Sequence, residues 1–152
     1  MLRKLAQTEE NAGMFLVRLA LGIVMFPHGA QKLLGWFGGQ GFAATMKGMT
    51  GMGLPAFVVF LVIFCEFFGA LSLITGFLGR LGALGILAVM VGAIFTVHLQ
   101  NGFFMNWMGN QKGEGYEYHL LAIGIALAVL VKGSGSLSID RALSDKGGYY
   151  RR

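Results

Sequence analysis

Two stretches of this chain decide where it can fold. From Leu54 to Leu78 there is one formal charge, Glu66, and from Leu81 to Phe104 there is none. A helix needs about 20 apolar residues, at about 1.5 Å each, to cross the hydrocarbon of a bilayer. Both stretches are long enough. Two more apolar segments flank them: Met14 to Leu34, carrying Arg18, His28 and Lys32, and Tyr116 to Val131, opening with Glu117 and His119. Charged residues are 12% of the 152, about half the share of a soluble domain. A soluble domain of this size hides only about 70% of the surface its unfolded chain exposes, so lipid has to cover the remainder. The expectation is an all-α integral membrane protein, a four-transmembrane-helix bundle with helices at about 14–34, 54–78, 81–104 and 116–131, forming one domain over 1–143. The fourth segment is short for a crossing and is expected to tilt or sit low. Residues 144–152 read as a basic cytoplasmic tail without fixed structure.

The first segment does not read as a cleaved signal peptide, because it holds an internal arginine and runs into Trp36 and Phe37 rather than a small-residue cleavage pattern. The net charge of +5 does not point to nucleic acid, since no basic face or known motif gathers the cations. They sit instead at segment ends. Arg3, Lys4, Arg80, Lys132, Arg141, Lys146, Arg151 and Arg152 fall on one side of the expected topology, whereas the two longer connections hold Lys47 and Lys112. The positive-inside rule then places both termini in the cytoplasm and both long loops outside. On that outer side Trp36, Phe37, Phe42, Phe103, Phe104, Trp107, Tyr116 and Tyr118 read as an interfacial aromatic belt. Gly41 to Gly53, with Phe42, Met46 and Met49 at helical spacing, reads either as a short amphipathic helix or as a glycine-rich loop. Ser138 to Leu143 reads as a short surface helix.

Ionisable side chains inside spans are costly and mark a function or a structural pair. Counting helix rise from the outer helix ends puts His28 and His98 at similar depths, about 10 Å and 9 Å below the end, with Glu66 deeper, near the midplane. Glu117 and His119 enter from the same side, and Lys32 stands one turn above His28. These residues are candidates for a polar pocket under the outer face. A helical wheel counts against His98 joining it, because His98 falls well away from the Gly85 and Gly92 stripe. Pro27 is a candidate kink in the first helix. Arg18 lies roughly 9 Å in height from Glu66, so an ion pair between the two is the structural alternative. Cys65 reads as a small buried hydrophobe; as the single cysteine it excludes an internal disulfide or dithiol pair.

Several blocks resemble the DoxX family of small bacterial inner-membrane proteins. They are Leu16 to Gly22, His28-Gly29-Ala30-Gln31-Lys32-Leu33, Phe37 to Gly41, Glu66-Phe67-Phe68-Gly69-Ala70, the Gly76 to Arg80 turn, Val97-His98 with Gly102-Phe103-Phe104, Gly115-Tyr116-Glu117, and the closing Gly133 to Asp140. The resemblance covers roughly Gly13 to Leu143. It implies a four-helix inner-membrane protein linked with quinol or thiosulfate:quinone redox chemistry, sometimes in complexes with soluble partners.

These residues support two functional readings. In the first, the protein is a redox-linked component that binds a quinone-type ligand in the outer-leaflet pocket. Glu66, His28 and Lys32 are then the catalytic candidates, and His28, His98, Arg18, Glu117 and His119 the cofactor-binding ones. Electrons come from a partner or a bound cofactor. A haem between His28 and His98 is a lesser alternative, a zinc on the three histidines a weaker one, and no metal site is assigned. In the second reading the chain is a non-catalytic membrane scaffold or small transporter subunit that docks a partner protein. Both allow a homo-oligomer, and the sequence leaves open whether the chain is an enzyme.

Overall fold

The computed structural model describes residues 6–8 and 10–145. Arg3, Lys4, Lys146, Arg151, Arg152 and most of the expected tail lie outside those residues. The described residues form helices and no strand. In chain order they are α1 (Ala12–Leu34), α2 (Gly41–Gly51), α3 (Ala56–Thr75), α4 (Gly79–Ala93), α5 (Glu117–Lys132) and α6 (Ile139–Asp145). A π turn, Ile94–His98, and a 3-10 turn, Leu99–Asn101, extend α4. Three helices are long and apolar enough to cross a membrane: Ala12–Leu34, Ala56–Thr75 and Gly79–Asn101. The protein is a membrane protein.

Local chemistry sets the helix ends. Asn11 caps α1, its side chain accepting from Met14 N at 2.9 Å. Gly35 ends the helix in the left-handed conformation. Pro27 lies inside α1, which continues through it as one helix. The second apolar segment stops at Thr75 rather than Leu78, because Gly76 takes a φ of 65° and turns the chain back. The third ends at Asn101 rather than Phe104. Gly41–Gly51 is helical, and none of its residues is fully buried.

The long helices pack in sequence, α1 on α3, α3 on α4 and α4 on α5, and α5 returns to α1. Leu21, Met25, Leu73, Ile86 and Val129 meet in the core between them. Lipid tails are as apolar as leucine, so close backbone approach rather than water exclusion holds such helices together. Gly29 shows how close: a Cβ there would lie 2.5 Å from the Phe67 backbone. The α3–α4 pair is tight near its turn and loose away from it. A Cβ on Gly82 would lie 2.9 Å from Gly69 O, and one on Gly85 would lie 3.1 Å from Cys65 Sγ, but one on Gly92 would meet nothing within 4 Å.

At the turn end the chain fastens itself. Arg18, fully buried, donates from Nε to Ser134 O at 2.8 Å, from Nη1 to Ile74 O at 2.9 Å and to Leu73 O, and from Nη2 to Leu137 O at 3.2 Å. The expected Arg18–Glu66 pair is therefore corrected: the guanidinium ends on backbone carbonyls. Asp140, also buried, accepts from Leu78 N at 2.8 Å, Gly79 N at 3.0 Å and Ser134 Oγ at 2.6 Å, which caps α4. The amino-terminal segment joins this knot, since Thr8 Oγ1 accepts from Gly135 N at 2.7 Å and Ala6 O from Ser144 Oγ at 2.8 Å.

Candidate functional site

At the opposite end of the helices lies a cavity of about 550 Å³, within the size range of small-molecule sites. Its walls are mostly apolar and come from α3, with Val58, Leu61 and Val62, and from α4, with Gly85, Val89 and Gly92. The polar groups in its lining include His28, Lys32, Glu66, His98, Tyr118 and His119. The structure thus brings together five residues singled out in the sequence.

Each arrives for a local reason. The close approach at Gly29 sets α1 against α3, and one turn on, Lys32 Nζ meets Glu66 Oε2 at 2.5 Å. Glu66 is 5% exposed, so its charge is offset by a partner inside the wall. His98 reaches the cavity through the π turn. On an ideal helix it would lie about 20° from Val91, which faces outward. The π turn holds one extra residue and swings the residues beyond it by about 100°, which brings His98 to within about 20° of Met90 on the cavity side. Its signature is Leu99 N donating to Ile94 O, while Thr96 Oγ1 bonds Gly92 O at 2.8 Å. This register shift is what the wheel could not contain, and it places His98 in the wall.

Once there, His98 Nδ1 lies 2.8 Å from Glu114 O, and its ring stands 4.1 Å from that of His119. Glu114 is in the following loop, so the contact ties that loop to the cavity mouth. His119, 6% exposed, keeps a buried Nδ1 with no hydrogen-bond partner. A neutral imidazole with no acceptor at Nδ1 is best served by carrying its proton on Nε2. His119 also lines the cavity. The His28 ring stands 6.5 Å from that of Tyr118, whose hydroxyl contacts Met25 Sδ at 3.3 Å.

Two sequence candidates sit elsewhere. Arg18 belongs to the knot at the turn end. Glu117 Oε1 accepts from Met105 N at 2.9 Å and from Trp107 Nε1 at 3.2 Å, which folds the loop rather than facing the cavity. Tyr118 is the residue that sequence reasoning missed: it reads as a belt aromatic, and only its spacing of one from His119 hinted at the shared wall. Cys65 stands in the wall beside Glu66. Among the described residues no three His, Cys, Asp or Glu side chains are placed to hold a metal ion.

Lipid-length apolar helices around a cavity lined in part by polar groups define a polytopic membrane protein with a cavity among its helices. The chain belongs to the DoxX family, whose model matches residues 13–99. It is 31% identical over 128 residues to a Bacillus subtilis (strain 168) protein named "Putative oxidoreductase CatD", covering 84% of each chain. It is also 31% identical over 137 residues to "Inner membrane protein YqjF" of Escherichia coli (strain K12), covering 90% of this chain and 96% of the relative. No solved structure matches it.

Proposed function

We propose that this chain is a redox-linked component of a bacterial inner membrane that binds a quinone-type ligand in the cavity, near the outer leaflet. One observation carries the reading: a cavity of about 550 Å³ whose α3 and α4 walls are mostly apolar and whose hydrogen-bonding groups come mainly from α1, α5 and the π turn, with Glu66. That asymmetry suits a molecule with a polar ring and an apolar remainder. Quinone carbonyls accept hydrogen bonds and gain protons as electrons arrive. His119 and His28 are the donors nearest to that task, Lys32 offsets the charge that develops, and Glu66, paired with it, handles the proton. With one cysteine the chain has no dithiol of its own, and this reading draws electrons from a redox partner. The oxidoreductase name of one relative and the inner-membrane name of the other accord with it.

The reading includes four crossings, with α5 as the fourth and both termini in the cytoplasm. Support comes from the knot of Ala6, Thr8, Gly135 and Ser144: chain ends that bond each other lie on one side, which requires an even number of crossings.

The test is native mass spectrometry of protein released from mild detergent, with His28→Ala and Glu66→Gln beside the wild type. A quinone-sized adduct is expected on the wild type and absent from His28→Ala. Glu66→Gln is expected to keep the fold and the adduct but lose quinone-dependent redox turnover. A clean apo mass in every sample favours the scaffold reading. The loop tip suits that alternative, since Trp107 and Met108 are 83% and 87% exposed and available to a partner protein.

A further inference from the structure

The cavity is not closed. Val58 and Leu61 on α3, Gly92 on α4 and Thr96 in the π turn that extends it line the cavity and are themselves exposed. The gap between these two helices is therefore its mouth. Both helices meet the length and apolarity needed to cross a membrane, so this mouth faces lipid rather than water. Its cause is the taper of the α3–α4 pair, in backbone contact at Gly69 and Gly82 and open at Gly92. From His98 down to Gly85 the groove runs about 20 Å along the helix. On the α3–α4 side its lining is mostly apolar, with Val62, Gly85, Ala88 and Val89. At the outer end His98, Tyr118 and His119 line it.

We infer that the α3–α4 gap is a lateral port for a molecule with a hydrogen-bonding head and a long hydrocarbon tail. The head passes from the bilayer to the histidines, and the tail stays in the groove along Gly85 and Gly92. The nature of the head rests on the quinone reading above; the port rests on the groove. A tail leaving lipid gains nothing from water exclusion, so the groove acts by shape. A side chain that fills it should exclude the tail.

Gly92 is the place to fill it. A Cβ there meets no protein atom within 4 Å, so a side chain can start there without displacing the fold. Gly124 on α5 is the matched control: it also faces open space and does not line the cavity. The full chain is placed in lipid nanodiscs and titrated with a long-tailed isoprenoid quinone and with the same ring bearing no tail. Gly92→Phe is expected to weaken the long-tailed quinone about ten- to hundredfold, the scale of overfilling a packed site, while the bare ring binds as in the wild type. Gly124→Phe is expected to match the wild type with both. If Gly92→Phe weakens both ligands equally, or neither, the port is wrong while the quinone site stands. If the wild type binds neither quinone, the quinone reading fails, and native mass spectrometry decides the groove. A co-purified phospholipid lost in Gly92→Phe upholds it; one retained, or none on the wild type, overturns it.

Discussion

Arg18 donates to carbonyls from three parts of the chain: the end of α3, Ser134 and Leu137. Each bond from a charged donor is worth about 1.5–3 kcal/mol, and a carbonyl left unpaired in a dry interior is costly in its own right. Lysine at this position keeps the charge but donates from a single nitrogen, which cannot fan across all of them. Arg18→Lys is expected to destabilise the protein by about 3 kcal/mol, read as thermal unfolding in detergent, with quinone affinity of the folded fraction unchanged because the cavity lies at the other end. Weaker binding at unaltered stability would return Arg18 to the site. Depth is legible in the sequence at this scale, because rise per residue is constant: counting alone puts His28 and His98 at similar heights with Glu66 below them. Partners are not. Height along a helix says nothing of which neighbour a side chain meets, so Arg18 and Glu66 look like a pair, whereas Lys32 takes the carboxylate.

Within the helices, the π turn of Ile94–His98 is a stored extra residue. Deleting one residue there lets the turn relax to an ordinary α-helix while His98 and everything after it keep their direction. Phe95, 72% exposed, is the residue to delete, since its side chain leaves no hole in the core. Loss of Phe95 is expected to be tolerated, with a melting temperature within a few degrees of the wild type and quinone binding retained. Loss of Leu121, also exposed, in α5 has no such turn to absorb it and rotates the remainder of that helix by about 100°. It is expected to abolish folding in a detergent-solubility assay. Equal damage from both deletions would mean that the turn holds nothing in reserve. The turn explains why the sequence argues against His98: a wheel assumes a constant angle per residue, and hydropathy carries no mark of the one turn that departs from it. Asp140 is hidden for a related reason. It caps a helix from far along the chain, and no local motif joins it to Leu78 and Gly79.

Across the molecule the question is whether α5 crosses. Its 16 residues rise about 24 Å, short of the roughly 30 Å of hydrocarbon. A short helix is tolerated when the bilayer thins or flanking groups reach the interface, at fractions of a kcal/mol per Å. Tyr116 at its start and Lys132 at its end are such groups. Connectivity favours the crossing most strongly: three crossings would leave the two ends on opposite faces, yet Ala6 and Ser144 are hydrogen-bonded. Single cysteines in a Cys65→Ala background test this together with orientation. Lys112→Cys lies in the loop before α5 and Leu143→Cys on α6 after it. In intact cells a membrane-impermeant maleimide is expected to label position 112 and spare 143, with both labelled once the membrane is opened. Labelling of 143 alone inverts the topology and overrules the charge bias. Equal treatment of the two positions removes the fourth crossing, and the knot at the turn end would have to form across a helix lying along the membrane surface.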